Sequence, residues 1–217
     1  IDCIIADKYN RQEIYARGRA GTLESTTIAL LQKHNLADKI IANGHTHGCC
    51  EFRYPDYSIV FEYGKLCGGD IHYIYPQSDF NDDLIQNYQE LNGTLLFSYE
   101  GKRISQTSSG VVVDLYDKNN DQSTVHADFL IGCDGYHGIT RQSIPEDVVS
   151  VHNKQYKYQW LAILAEAPPS AKHIIYALHP DGFAGHMLRS EKITRYYLQI
   201  PFGDPIENWT DERIWKN

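Results

Sequence analysis

Hydrophobic and polar positions along this 217-residue chain change their period several times, and each change marks an element. Ile1–Asp7 is a short apolar run closed by a carboxylate and predicts a buried strand. After a polar stretch from Tyr9 to Ala16, the side chains of Leu23, Ile28, Leu30 and Leu31 mark one face of a helix from about Leu23 to His34. Residues 52–75 alternate in short bursts broken at Tyr54-Pro55-Asp56 and Gly68-Gly69-Asp70, which predicts two or three short strands. A helix then runs from Pro76 to about Glu90, with Ser78 or Asp79 as N-cap and Phe80, Leu84, Ile85 and Tyr88 as its apolar stripe, and Asn92-Gly93 ends it.

Strand character resumes at 94–99, and Val111–Tyr116 and Thr124–Ile131 flank the turn DKNNDQ as a hairpin. With the first strand, these predict a mixed sheet. Beyond Pro145 come four strand-like segments (Val149–Glu166, Lys172–Ala177, Gly182–Arg189, Thr194–Ile200), which predict an antiparallel sheet as a second layer. Helix starts follow at Asp204-Pro205 and Thr210-Asp211-Glu212. The fold class expected is α/β of mixed α+β character.

The stretch Asp128–Pro145, DFLIGCDGYHGITRQSIP, concentrates candidate chemistry. The run Ala127, Phe129, Leu130, Ile131 reads as a buried strand, and it stops at Gly132-Cys133-Asp134-Gly135, where small residues let backbone approach a ligand. An Asp at a strand's C-terminal end suits ribose hydroxyls. His137 and Arg141, three and seven residues on, would reach the same place from one helical turn and suit a phosphate. An ordinary Asp-Gly turn explains the same dipeptide.

Composition narrows the classes. A net charge of −8 without a long Lys/Arg run argues against a nucleic-acid surface, and no apolar stretch reaches the roughly 18 residues that span a bilayer. No membrane or nucleic-acid partner is expected. Five cysteines at irregular spacing fit free thiols in a reducing cytoplasm. His45, His47, Cys49 and Cys50 suggest a metal site, but no second ligand pair follows at a structural-zinc interval, so none is assigned. Sixteen tyrosines could line a pocket for an aromatic ligand or pack β-sheets.

Asp134-Gly135-Tyr136-His137-Gly138-Ile139-Thr140-Arg141 resembles the Asp-Gly motif of class A flavoprotein aromatic hydroxylases, in the Gly138-containing form of those that act on 4-hydroxybenzoate. The likeness continues in order through RGRAGTLE (17–24), YPQSDFNDDLI (75–85), Trp160–Pro169, IIYALHPDGFA (174–184), RYYLQIP (195–201) and ENWTDERIW (207–215). It implies an FAD-dependent, NAD(P)H-using monooxygenase that inserts oxygen from O2 into a phenolic aromatic acid, with 4-hydroxybenzoate giving 3,4-dihydroxybenzoate. It implies a partial Rossmann-like FAD-binding domain (1–50 and 76–148) and a substrate-binding β-sheet domain (51–75 and 149–217). Enzymes of this kind tend to be homodimers.

The resemblance also assigns residues. Asp7, Arg17, Arg19, Gln77 and Asp134 fall on FAD positions, and Lys8, Arg17, His137 and Arg141 on NADPH positions, with Arg11 beside Lys8 for a 2′-phosphate. Tyr176 would take the substrate's phenolic proton and His47 would end the relay, while Arg189 and Tyr197 would hold the carboxylate. Sheet packing and a surface ion pair are the plain alternatives for these residues. Met187 stands where the resembling enzymes carry a carboxylate-binding serine, and a thioether donates no hydrogen bond.

No Gly-x-Gly-x-x-Gly occurs, although a dinucleotide-binding unit would place one about 20 residues before Asp7. A Gly-Asp-Ala-Ala-like flavin motif and a relay tyrosine would lie beyond residue 217. The expectation is a fragment of a hydroxylase; the alternative is a short, non-catalytic homologue that binds an aromatic acid or a protein partner.

Overall fold

The computed structural model of the protein describes residues 1–17 and 21–216. In chain order these form β1 (Ile4–Asp7), α1 (Arg11–Ala16), β2 (Thr22–Leu23), α2 (Ser25–Lys33), α3 (Asp38–Asn43), β3 (His45–His47), β4 (Cys50–Arg53), β5 (Ser58–Phe61), α4 (Tyr63–Leu66) and β6 (His72–Ile74). Then come α5 (Gln77–Glu90), β7 (Thr94–Phe97), β8 (Glu100–Thr107), β9 (Gly110–Tyr116), β10 (Gln122–Ala127), α6 (Ile139–Gln142), β11 (Tyr158–Ala165), β12 (Ile174–His179), β13 (Gly182–Leu188), β14 (Thr194–Pro201) and α7 (Asp211–Ile214). The chain is mixed α/β and divides into two compact units, Ile1–Gly18 with Asn81–Asn153 and Arg19–Phe80 with Lys154–Asn217. These units differ from the expected functional division, since residues 19–50 fall with the large β-sheet.

In the first unit β1 pairs in parallel with β7, from Ile4↔Thr94 to Asp7↔Phe97. The stretch expected to be merely polar contains α1. Asn10 caps it by accepting from Glu13 N at 2.9 Å while the Glu13 carboxylate accepts from Asn10 N at 2.7 Å, a reciprocal arrangement worth about 1 kcal/mol. Helix α5 begins at Gln77, one or two residues before the expected caps, and Asn92 at φ 60° turns the chain out of it.

The expected mixed sheet is not formed. Strands β8, β9 and β10 make an antiparallel meander of their own, anchored by Val111 and Leu115. The second hairpin strand stops at Ala127; Phe129, Leu130 and Ile131 are 87%, 41% and 82% exposed and lie outside any strand. Their side chains favour β structure, but a strand also needs a neighbour for its N–H and C=O groups, and among the described residues none pairs with this run.

In the second unit β11-β14-β13-β12-β4-β5 form a six-stranded sheet, antiparallel except where β12 runs parallel to β4. Each of the four late segments predicted as strands contributes one to it, although the first, predicted from Val149, forms a strand only from Tyr158. Leu161, Ile200 and Trp209 form one core beneath it, joined by Ile214 of α7, whose Thr210 caps the helix. A second core of Ile28, Ala37, Ile40 and Tyr75 gathers α2 and α3 against the small sheet β2-β6-β3. Ile40 is 1% exposed, and burial of such a side chain contributes about 2–3 kcal/mol. Among the described residues no helix is long and apolar enough to cross a membrane.

Candidate functional site

In the first unit Asp7 closes β1 half-buried, and its Oδ1 accepts from Tyr9 N at 2.8 Å. No partner of Oδ2 occurs among the described residues, so an acceptor remains for a ligand hydroxyl. The exposed Lys8 and Arg17 lie over the Tyr9 ring, 5.4 and 4.0 Å from its centroid. Arg11 is committed elsewhere, with Nε 2.6 Å from Asp82 and Nη1 3.3 Å from Gln89, so it fastens α1 to α5.

Asp134 sits in an exposed loop where Gly135 adopts φ 71°. Its carboxylate accepts from Thr140 N at 2.9 Å and from the Thr140 hydroxyl, which holds its pKa below the usual range and ties the loop to the start of α6. A Cβ on Gly138 would fall inside that carboxylate, so glycine is required there for Asp134 to reach Thr140. The helical turn expected to begin at Asp134 instead begins at Ile139, because Gly135–Gly138 closes a tight turn first. His137 and Arg141 still converge, but on Tyr136: the imidazole edge meets its ring at 4.9 Å and the guanidinium lies 5.5 Å from it.

The second unit holds the other candidates. Strand alternation puts Tyr176, Gly185 and Tyr197 on one face in register, because Tyr176 pairs with Gly185 and Gly185 with Tyr197. Two strand spacings, roughly 10 Å, separate the two tyrosines across Gly185, over which the Phe183 and Met187 side chains reach to 3.7 and 3.9 Å from where a Cβ would stand. Phe52 and Phe183 flank Tyr176, at centroid distances of 5.4 and 5.9 Å, and Phe183 continues to Trp160 at 5.2 Å. Met187 lies on the same face. A wider cleft of ≈ 490 Å³ opens at the Trp160 end of this row and is lined by neither Tyr176 nor Arg189.

Arg189 follows β13. Its guanidinium packs so closely on Gly21 that a Cβ there would lie 2.5 Å from Nη1. Burial lowers its pKa, followed by repulsion from Arg195, against smaller attractions to Tyr197 and Asp79. Among the described residues no carboxylate lies within ion-pair distance of it. The result is a half-buried cation whose desolvation no neighbouring carboxylate among the described residues offsets at ion-pair distance. Gln77 stands at the start of α5, and Arg19 lies outside the described residues.

His47 is buried at 8% exposure on β3, whereas His45, two residues earlier, is exposed. Its Nδ1 is hydrogen-bonded to the Tyr63 hydroxyl, and its ring meets those of Tyr63 and His72 edge-on at 5.9 and 5.6 Å. Burial, with a lesser contribution from His72, pushes the His47 pKa down to about 4, and burial pushes Tyr63 up to about 12. Sequence reasoning missed Tyr63 and His72. Tyr63 is 16 residues from His47, and only the turn into α4, where Gly64 N donates to Gly48 O at 2.7 Å, returns it. On the opposite face of the sheet Glu51, Arg53 and His173 form a further missed cluster, with Glu51 held down to about 2 by hydrogen bonds from Arg53 and His173. His186 also faces that side, away from Tyr176, and its Nε2 accepts from Ser170 N.

The whole chain, residues 1–217, matches the family described as FAD binding domain. The chain belongs to this family of FAD-dependent aromatic hydroxylases and monooxygenases. Within it, the p-hydroxybenzoate hydroxylase of Acinetobacter baylyi is 30% identical over 216 residues, 100% of this chain and 53% of its own length. A 3-(3-hydroxy-phenyl)propionate/3-hydroxycinnamic acid hydroxylase of Klebsiella pneumoniae is 31% identical over 86 residues, 39% of this chain and 15% of its own. The chain thus spans about half the length of the curated relative that it matches throughout.

Solved structures of the same fold include aklavinone-11 hydroxylase in complex with FAD and aklavinone (TM-score 0.77, 14% identity, 100% of this chain and 45% of that one). Another is the p-nitrophenol 4-monooxygenase of Pseudomonas putida (TM-score 0.76, 11% identity, 96% and 53%). The family's FAD fits what the first unit offers: an open Asp7 acceptor, the exposed Arg17 and an Asp134 loop that glycine keeps uncrowded.

Proposed function

We propose that this protein is an FAD-dependent, NADPH-using monooxygenase acting on a phenolic aromatic acid, with 4-hydroxybenzoate to 3,4-dihydroxybenzoate as its reaction. The observation that carries this reading is Arg189, a half-buried cation with no carboxylate within ion-pair distance among the described residues, following the strand whose aromatic face also carries Tyr176 and Tyr197 in register. Its planar fork pairs bidentately with a benzoate, and the Tyr197 hydroxyl adds a second donor. Tyr176, on the same sheet face as Tyr197, receives the phenolic proton, and His47 passes it on. Met187 replaces a donor with a thioether, so the carboxylate is held by Arg189 and Tyr197 alone.

When bound, FAD supplies the redox chemistry that activates O2. Asp7 accepts from a ribose hydroxyl, Arg17 and Arg19 neutralise phosphate charge, and Asp134 and Gln77 orient the cofactor. Lys8, Arg17, His137 and Arg141 serve the phosphates of NADPH. Residues 1–50 with 76–148 serve FAD in this reading, and 51–75 with 149–217 the aromatic acid.

The test is the visible spectrum of purified protein after FAD is added and the excess removed. Retained flavin that bleaches faster with NADPH when 4-hydroxybenzoate is present supports the proposal. Bleaching that is indifferent to every phenolic acid tried overturns it.

A further inference from the structure

Within the large sheet β12 and β4 run parallel over four residue pairs, from Ile174↔Cys50 to Ala177↔Arg53, and this seam sets Tyr176 opposite Phe52. No hairpin turn fixes its register, because the two strands come from distant parts of the chain. A slip by one residue, about 3.3 Å, would carry Phe52 to the opposite face and bring Glu51 and Arg53 onto the face of Tyr176. Side chains must therefore hold the register. On the face of Tyr176 the Phe52 ring lies 5.4 Å from it, centroid to centroid.

The opposite face carries a polar bridge. His173, the residue before β12, places Nε2 3.0 Å from Glu51 Oε2, across the seam and 122 residues away in sequence. Arg53 grips the same carboxylate, Nε to Oε1 at 2.7 Å and Nη2 to Oε2 at 3.1 Å. Glu51 is only 9% exposed, and the Arg53 hydrogen bonds first, then that of His173, hold it ionised down to about 2. A carboxylate only accepts, so His173 donates and its Nε2 carries a proton. Of these two donors, Arg53 shares the strand of Glu51 and keeps the carboxylate turned to this face, whereas His173 spans the seam.

We propose that Glu51 and His173 are a positioning pair that pins the register of the β4–β12 seam and so sets Phe52 against Tyr176. The inference rests on the reading above, in which Tyr176 takes the phenolic proton. A slipped seam would strip Glu51 of its cross-strand donor and set a charge among rings, so the penalty falls on the wrong registers. Register is the best-attested use of a buried ionic group.

The test uses the full-length, FAD-loaded protein with 3-fluorotyrosine incorporated at Tyr176, whose fluorine resonance reports the neighbouring ring. His173→Leu should move that resonance toward its position in Phe52→Leu, and His173→Gln, which keeps a donor, should restore it. Because His173→Leu strands a buried carboxylate and is liable to unfold, Glu51→Leu with His173→Leu removes both partners, should fold, and should show the same displaced resonance. With unlabelled protein, His173→Leu should lower kcat on 4-hydroxybenzoate about tenfold with little change in KM. A ring-fluorinated 4-hydroxybenzoate, whose phenol is already ionised at neutral pH, should lose far less. An unmoved resonance in the single and double variants, or equal kcat losses on both substrates, overturns the pair's positioning role and leaves the proposed function intact. If the wild-type protein turns over no phenolic acid, the proposed function fails, and the fluorine resonance still decides whether the pair sets Phe52 against Tyr176.

Discussion

Arg189 offers a decisive perturbation, because its two candidate roles predict opposite costs. As a structural ion-pair member it would stabilise the fold, and its loss would strand a buried partner. As a ligand for a substrate carboxylate it is a cation partly desolvated in advance, which burdens the free protein and is compensated on binding. The structure favours the second role, since burial dominates its environment and no carboxylate lies within ion-pair distance among the described residues.

Arg189→Met keeps most of the aliphatic stem against Gly21 and removes the charge. Its urea midpoint should be unchanged or raised, by at most about 1 kcal/mol of stability. Binding should suffer. Two charge-assisted hydrogen bonds at the low end of their range amount to about 3 kcal/mol, or roughly 150-fold in Kd. Calorimetric titration with 4-hydroxybenzoate and with phenol separates the carboxylate from the ring: the variant should lose the benzoate's advantage and bind phenol as before. Equal losses for both ligands, or a stability loss of about 2 kcal/mol or more, would refute the assignment.

Three further outcomes are expected. Gly138→Ala should push the Asp134 carboxylate off Thr140, remove about 1 kcal/mol of capping and weaken FAD by about fivefold or more, measured by flavin fluorescence titration; an unaltered FAD affinity would separate Asp134 from the cofactor. Met187→Ser should put a hydrogen-bond donor on the sheet face of Tyr176 and Tyr197 and tighten benzoate binding by about 1 kcal/mol, and a Kd that stays the same would place residue 187 away from the carboxylate. His47, at about 4 in the fold and about 6.5 when unfolded, stabilises the neutral state: its contribution is full above about pH 6.5 and is lost as pH falls toward 4, up to about 3 kcal/mol. Urea midpoints of His47→Asn against pH should flatten across that window, whereas Glu51, depressed to about 2 from its usual value near 4.5, acts only at lower pH; an unflattened profile would show that His47 is not the titrating group.

Much of the fold was legible because its strongest signals are local. The alternation in Tyr158–Ala165, Ile174–His179, Gly182–Leu188 and Thr194–Pro201 needs only one apolar face per strand, and all four became neighbours in the large sheet. Residues 128–131 misled for the converse reason. Phe129, Leu130 and Ile131 carry the composition of a buried strand, but pairing is a property of two segments, and composition reports on one. Helix α1 was hidden by polarity: a reciprocal cap between Asn10 and Glu13 starts it, with no buried side chain to betray a period.

The site divides along the same line. Tyr176, Tyr197, Arg189 and Asp134 could be named as candidates because a family resemblance singled them out and each carries a group suited to its proposed task. What turns Arg189 from a surface cation into a candidate ligand is that no carboxylate lies within ion-pair distance of it among the described residues, and what makes Gly138 necessary is a side chain four residues earlier folding back over it. Both are facts of packing. Tyr63 is the extreme case, because nothing in Glu62-Tyr63-Gly64 distinguishes this tyrosine from the other fifteen. Its place beside the imidazole already singled out comes from a single hydrogen bond between segments 16 residues apart, which no local pattern announces.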